Sequence, residues 1–172
     1  MVTNYPYGNK EGAAMKRYLI LFAVTVCIWL NSTPARTAPP PGPGPKDKCP
    51  VCGMFVHKYP AWTAAIRFSD GSQAWFDGAK DLFIYLNNLP KYAPGRKPAM
   101  ISAIEVKDYY TLKLIDAKSA FYVIGSNVYG PMGHELVPLA RQHEAQEFLK
   151  DHAGKRIIRF HEITPALLKT LE

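Results

Sequence analysis

The sequence predicts an α+β fold made of two strand-strand-helix-strand units that follow one another along the chain. Three observations support this prediction: paired β-prone runs occur in each half, an apolar pattern of helical spacing follows each pair, and a further β-prone run follows each helix. A chain of 172 residues, 48% of them apolar, is long enough to bury one core across both units. The repeat rests on the order of these patterns rather than on residue identity.

A hairpin opens the first unit. Residues 62–68 and 73–76 are β-prone runs, and the segment between them has Asp70-Gly71 at its centre. Because Asp-Gly suits the tight turns that join antiparallel strands, the two runs are predicted to pair.

A helix is expected directly after this hairpin. Apolar residues recur every three to four positions between residues 82 and 89, Asp77-Gly78 is placed to cap the helix, and Pro90 is placed to end it. Residues 100–106 then return as the last strand of the unit.

The second unit repeats this order. Its predicted elements are strands at residues 120–124 and 135–139, a helix at 141–152 closed by Gly154, and a strand at 156–160. Residues 111–115 are predicted to form an extra strand between the units. A final helix is expected from Pro165, because Thr164 suits the N-cap and proline suits the first helical position.

The beginning of the chain has the pattern of an export signal. Lys16 and Arg17 precede an apolar run at residues 18–30, and the small residues Thr33-Pro34-Ala35 offer a cleavage site. A helix of this length rises about 20 Å and a bilayer core is about 30 Å thick, so a cleaved signal is favoured over a retained transmembrane anchor. The protein is therefore expected outside the cytoplasm, in the periplasm or on the outer face of the membrane.

These patterns divide the chain. Residues 38–45 are almost entirely proline and glycine, which favours an extended spacer. The predicted segments are a start-site extension at 1–14, a signal peptide at 15–35, a Pro-rich linker at 36–46, and a folded domain at 47–172 with approximate halves 47–110 and 111–172.

Charge argues against a nucleic-acid partner. From residue 46 onward the chain has 17 Lys and Arg against 13 Asp and Glu, a balance of about +4. The basic residues are scattered, and Lys155-Arg156 and Arg159 flank an apolar pair as they would on a solvated strand face.

The cysteines of the predicted domain are Cys49 and Cys52, and their spacing is the strongest functional signal. A c-type haem site needs a histidine where Gly53 stands, and structural zinc needs two further ligands at regular spacing. A structural disulfide and a thioredoxin-type exchange site remain open alternatives, although no strand signal precedes the pair.

Cu(I) binding explains the sulfur content best. This soft ion is held by thiolate and thioether sulfur, with imidazole as an acceptable partner. Cys49, Cys52 and Met54 lie within six residues, and Gly53 permits a tight turn between them. Met132 lies in a segment rich in glycine and proline, where it is as readily core filler as ligand, and the adjacent His134 is a candidate donor.

Catalysis is not predicted. The sequence has no nucleophile elbow, phosphate loop or paired-carboxylate pattern that stands out. The predicted function is Cu(I) binding and transfer without turnover of a substrate, and its rival is an extracytoplasmic thiol-disulfide protein.

Several motifs recur together in the order of a known family. They are residues 47–54 (Asp-Lys-Cys-Pro-Val-Cys-Gly-Met), Tyr59-Pro60, residues 115–126, Gly130-Pro131-Met132-Gly133 and residues 156–160. In order and spacing they resemble the NosL family, the accessory proteins of nitrous oxide reductase maturation, from about Asp47 to Leu168.

The resemblance implies a Cu(I) metallochaperone that works beside a membrane transporter complex and supplies the copper-sulfur centre of nitrous oxide reductase. It also implies a fold similar to that of organomercurial lyase. The family's Cys-Gly-Met motif falls on Cys52, Gly53 and Met54, its later methionine falls on Met132, and Cys49 matches a first cysteine that many relatives share. Another exported copper enzyme is the alternative client.

The sequence departs from the family pattern at two cysteines. Many relatives have a lipid-attachment cysteine, for which Cys27 is the candidate here, although Val26 before it is not a small residue. Phe76-Asp77-Gly78 stands where relatives often have Phe-Cys-Ser, so no third thiol is expected.

Overall fold

Two antiparallel sheets and a small hairpin organise residues 42–171, the part of the chain that this computed structural model describes. The strands are β1 (Ala64–Phe68), β2 (Gln73–Phe76), β3 (Ile101–Lys107), β4 (Leu114–Asp116), β5 (Phe121–Ile124), β6 (Tyr129–Gly130), β7 (Gly133–His134), β8 (Val137–Leu139) and β9 (Arg156–Arg159). The helices are α1 (Ala79–Asn87), α2 (Leu89–Tyr92), α3 (Gln142–Asp151) and α4 (Pro165–Lys169), with 3-10 turns at Val56–Lys58, Pro98–Met100 and Phe160–Glu162.

The predicted repeat is confirmed. In the first unit β1 and β2 form a hairpin, α1 follows, and β3 returns antiparallel on the other side of β1, which gives the order β2-β1-β3. The second unit has the same topology, with β5 at the centre and the order β8-β5-β9. The hairpin β6-β7 is inserted between the first two strands of the second unit, where the first unit has only a short turn.

The extra strand between the units joins the edge of the first sheet. β4 pairs with β3, with Ile115 opposite Val106. It begins at Leu114 rather than at residue 111, because Asp108 Oδ1 accepts a hydrogen bond from the Thr111 backbone N–H and holds the preceding residues in a turn.

Both boundaries predicted for α1 need correction. Gly78 precedes the helix in an extended conformation without a side-chain cap, and the Asp77 carboxylate faces Cys52 instead of the helix N-terminus. Pro90 does not end α1, which stops at Asn87; it lies in the first turn of α2, where proline is tolerated because no intrahelical N–H bond is lost.

The larger core crosses from one unit to the other. The Phe83 ring on α1 packs edge-on against Tyr122 on β5, with 5.4 Å between ring centroids, and lies 5.1 Å from Phe160. A smaller cluster lies between α3 and the second sheet, around Val123 and Phe148. Because α1 packs against residues of the second unit, the two units share most of their buried apolar surface.

No helix between residues 42 and 171 is both long enough and apolar enough to cross a bilayer. The predicted signal peptide, the start-site extension, most of the linker and Cys27 lie outside the described residues.

Candidate metal centre

A tight turn brings the two thiols together. The Gly53 N–H donates to the Cys49 carbonyl at 2.9 Å, and the Cys49 N–H donates to the Met54 carbonyl at 2.8 Å. Gly53 has a φ of 80°, in the left-handed region that glycine adopts without strain. Cys49 is buried and Cys52 is half-buried.

Two carboxyl groups complete a cluster around these thiols. Cys49 Sγ donates to Asp81 Oδ2 at 3.1 Å, and Cys52 Sγ donates to Asp77 Oδ1 at 3.3 Å. One ligand atom from each of the four side chains lies within 4.8 Å of all the others. The cluster therefore joins the Cys-x-x-Cys turn to the end of β2 and the first turn of α1.

Burial keeps the thiols protonated. It raises the pKa of Cys49 far above its usual value and the pKa of Cys52 to about 12, and the neighbouring Asp81 carboxyl adds to both effects. Burial also raises the pKa of Asp81. A cysteine active in disulfide exchange has a lowered pKa, so these thiols lack the electrostatic setting of an exchange catalyst. A soft metal ion deprotonates the thiols that it binds.

Met132 reaches the same site from the second unit. It lies at the tip of the β6-β7 hairpin, 46% exposed. A cleft of about 490 Å³ is lined by Val51, Cys52, Lys80, Asp81, Ile84, Tyr92 and Met132. A thiol from the first unit and a thioether from the second thus border one opening.

The other two candidate ligands lie differently. The Met54 sulfur accepts a hydrogen bond from the Tyr59 hydroxyl at 3.5 Å. His134 is exposed on β7, with its ring centroid 4.9 Å from that of Tyr129. Within residues 42–171, the lining of the cleft includes neither Met54 nor His134.

Comparison with known proteins agrees with this architecture. Residues 42–168 match the NosL family. This chain belongs to the NosL family. The fold and the family resemblance predicted from the sequence are thereby confirmed.

Three NosL proteins illustrate the relationship. The "Copper-binding lipoprotein NosL" of Stutzerimonas stutzeri is 32% identical over 131 residues, which cover 72% of this chain and 65% of that relative, so the match leaves over a third of the relative unmatched. The crystal structure of the copper chaperone NosL from Shewanella denitrificans superposes with a TM-score of 0.60 at 25% identity, covering 77% of this chain and 99% of that one. The solution structure of apo-NosL from Achromobacter cycloclastes gives a TM-score of 0.43 at 27% identity, over 61% and 87% of the two chains.

Asp77 and Asp81 are candidate site residues that were not predicted from the sequence. Asp77 was assigned to a helix cap, and its place in the family pattern was interpreted only as the loss of a thiol. The structure instead places its carboxyl oxygen 3.3 Å from the Cys52 Sγ. No helical spacing marks the pair, because Asp77 precedes the N-cap Gly78 and only Asp81 lies on α1.

Lys80 and Glu135 form a second buried polar group beside the centre. Lys80 Nζ donates to the Met132 carbonyl at 2.8 Å and to the Leu171 carbonyl at 3.1 Å. Glu135 Oε1 accepts from the backbone N–H groups of Lys80 at 2.5 Å and Leu136 at 2.9 Å. Burial raises the pKa of Glu135 to about 8. The pair connects the first turn of α1 to the hairpin that carries Met132.

Proposed function

We propose that this chain is an exported Cu(I) metallochaperone that delivers copper for the maturation of nitrous oxide reductase. One observation carries the proposal: Cys52 and Met132, from different units of the fold, border the same cleft beside the buried thiol of Cys49. The names of two relatives, a copper chaperone and a copper-binding lipoprotein, support it.

The donor chemistry favours the monovalent ion. Two thiols and a thioether are soft donors, and Cu(I) is the soft ion that such a set binds best. Cys52 and Met132 are the principal ligands of the proposed site, and Cys49 is placed to add a second thiolate. Met54 and His134 do not line the cleft, so each is a secondary candidate ligand of the proposed site.

Partial exposure of the proposed site allows the ion to be transferred to a partner. Because Met132 is 46% exposed, the thioether side of the site faces solvent and a partner's sulfur or imidazole ligands approach from there. Each new ligand displaces one ligand of the chaperone, and protons return to the thiols as the ion leaves. The process moves an ion and turns over no substrate, so the proposed function is not enzymatic.

The proposed setting is the outer face of the membrane or the periplasm. The export signal predicted at residues 15–35 supports this placement, and the lipoprotein from Stutzerimonas stutzeri provides a precedent for a tether. The proposed partner is the apoenzyme of nitrous oxide reductase or the transporter complex that serves it.

Anaerobic titration of the reduced full chain with Cu(I), against a chromogenic Cu(I) chelator, tests the binding site. We expect one tightly bound equivalent, and weaker binding for Cys52→Ser and for Met132→Leu. Met100→Leu is the matched control, because Met100 packs against the core and lies outside the cleft. Equal affinities for the two methionine variants would contradict the proposed ligand set.

A second experiment tests the client. Cu(I)-loaded chain is mixed anaerobically with the apoenzyme of nitrous oxide reductase, alone and with its transporter complex, and with the apo form of another exported copper enzyme. The proposal is supported if nitrous oxide reductase takes up copper and becomes active while the other copper enzyme takes up none. Uptake by the other enzyme alone would reassign the client while leaving the copper site in place.

A further inference from the structure

The hairpin that carries Met132 has little support of its own. β6 and β7 pair only through Tyr129 with His134 and Gly130 with Gly133. Among the described strands, the pair forms a separate ribbon that joins neither of the two sheets. An isolated two-stranded ribbon is marginally stable in water, so contacts outside the hairpin must fix the position of Met132.

Lys80 supplies one such contact. This lysine is only 4% exposed, and its ammonium group donates to the backbone carbonyls of Met132 and Leu171. Burying an ammonium group is costly unless its hydrogen bonds are replaced, so Lys80 holds these two carbonyls close to the start of α1. The bond is made to the residue that carries the proposed thioether ligand.

Glu135 supplies a second contact that fixes the hairpin. Its carboxyl group accepts a hydrogen bond from the backbone N–H of Lys80. The Glu135 side chain also lies against two glycines: a β-carbon at Gly78 would collide with its carboxyl group, and a β-carbon at Gly130 would be in very tight contact with it. The base of the hairpin and its tip are therefore both attached to the first turn of α1, which also carries Asp81.

We propose that Lys80 is a positioning residue that, aided by Glu135, holds the Met132 thioether at the thiol cleft before the metal ion arrives. The inference rests on the proposed function, because it assumes that Met132 binds Cu(I). Its physical basis is preorganisation: a hairpin ordered during folding does not have to be ordered again when the ion binds.

Lys80 has a second property that works in the opposite direction. Its positive charge lies beside the cleft and repels a cation, so removal of the charge alone would tighten Cu(I) binding. The sign of the effect therefore separates positioning from simple electrostatics.

A double-mutant cycle with the full chain tests the proposal. We expect Lys80→Leu, which adds no sulfur donor to the cleft, to weaken Cu(I) binding about tenfold, the lower end of the losses seen when a residue that orients a metal ligand is removed. In a Met132→Leu background the same substitution should have no further effect, because Lys80 acts through Met132. Lys150→Leu, on the exposed side of α3, is the matched control.

Four outcomes contradict the inference. Tighter binding in Lys80→Leu would show that charge repulsion dominates, and an equal loss in both backgrounds would show a general structural effect; either result leaves the proposed function intact. A Met132→Leu chain that binds Cu(I) normally would remove Met132 from the ligand set and the positioning role with it. A wild-type chain that binds no Cu(I) would overturn the proposed function as well.

The metal-free protein offers an independent spectroscopic readout. With methionine methyl groups labelled with carbon-13, we expect Lys80→Leu to move the Met132 methyl resonance toward its unfolded position and to sharpen it. The Met100 resonance should not change, because that side chain packs away from the hairpin. An unchanged Met132 resonance would contradict the positioning role whatever the copper affinity.

Discussion

At the scale of single residues, the Met54 sulfur already accepts a hydrogen bond from a neighbouring side chain. The Tyr59 hydroxyl donates to the Met54 sulfur and occupies one of its two lone pairs, which makes the thioether a weaker donor to a metal ion. We expect Tyr59→Phe to raise the Cu(I) affinity by up to about fivefold, since one neutral hydrogen bond has a net value of about 1 kcal/mol. Chelator competition measures the change, with exposed Tyr110→Phe as the control. An unchanged affinity would show that this hydrogen bond does not compete with metal binding at Met54.

Glu135 gives the fold a dependence on pH. Its pKa rises from 4.5 to about 8 on folding, mainly through burial, so the folded state keeps a proton that the unfolded chain releases. The contribution of this group to the free energy of unfolding is complete below pH 4.5, falls as the pH rises to about 8, and is constant above that.

Glu135→Gln should remove this dependence. The amide oxygen can still accept from the Lys80 and Leu136 N–H groups but does not titrate. We expect urea denaturation to give a flatter profile of stability between about pH 5 and about pH 8 for the variant than for the wild-type chain. Parallel profiles would show that Glu135 is ionised in the folded state.

Residue chemistry was predictable where it is local in sequence. Cys49, Cys52 and the turn at Gly53 fall within one short motif, so their soft-metal character could be interpreted directly. The roles of Asp81 and Lys80 could not, because each is defined by a partner remote in sequence, Cys49 for one and Met132 for the other. Nothing local distinguishes such an aspartate or lysine from a solvated residue near a helix start.

At the scale of elements, the junction between β2 and α1 depends on a residue without a side chain. Gly78 has an extended backbone that any residue could adopt, but a β-carbon there would collide with the Glu135 carboxyl group. We expect Gly78→Ala to lower the free energy of unfolding by about 1–3 kcal/mol, the usual effect of overpacking a buried site.

The same substitution should weaken Cu(I) binding, because it displaces Glu135, which follows β7 at the base of the hairpin. Gly44→Ala is the control, since a β-carbon at residue 44 would meet its nearest neighbour, Asp47 Oδ2, at an ordinary 3.5 Å. Urea denaturation and Cu(I) titration measure the two effects. A Gly78→Ala chain as stable as the control would show that Glu135 moves aside freely.

The elements that could be predicted are those with a strong local pattern. The β1-β2 hairpin and α4 follow from a turn and a cap that act within a few residues, and the Thr164 hydroxyl does accept from the Leu167 N–H. The β6-β7 hairpin was not among the predicted elements. Its strands are two residues long, and contacts with α1 rather than an alternating pattern hold it in place.

At the scale of the whole molecule, the shared core predicts a single unfolding transition. Phe83 of the first unit packs on Tyr122 of the second, so neither unit can unfold without exposing apolar surface of the other. Trp75 packs in the first sheet and Trp62 packs against the smaller cluster of the second unit. Urea curves followed by tryptophan fluorescence are recorded for Trp62→Phe and Trp75→Phe, with Trp29→Phe in both so that each chain keeps one tryptophan. After normalisation by stability, each curve should coincide with the one followed by far-UV circular dichroism. Separated transitions would show that the units fold independently.

The repeat itself could be predicted from the sequence because each unit shows the same order of periodicities. The surface where the two units meet could not be predicted, since packing between them depends on side chains such as Phe83 and Phe160, which face each other across the core. The insertion of β6-β7 in the second unit alone breaks the equivalence of the units and supplies the element that reaches the thiols.

The cleft exists only when both units are folded, because Cys52 is contributed by one and Met132 by the other. A chain whose second half has not yet folded presents the Cys-x-x-Cys segment without the thioether. On the proposed ligand set, such a chain would compete for the ion with fewer donors than the finished protein, and full affinity would be reached only once both units have folded.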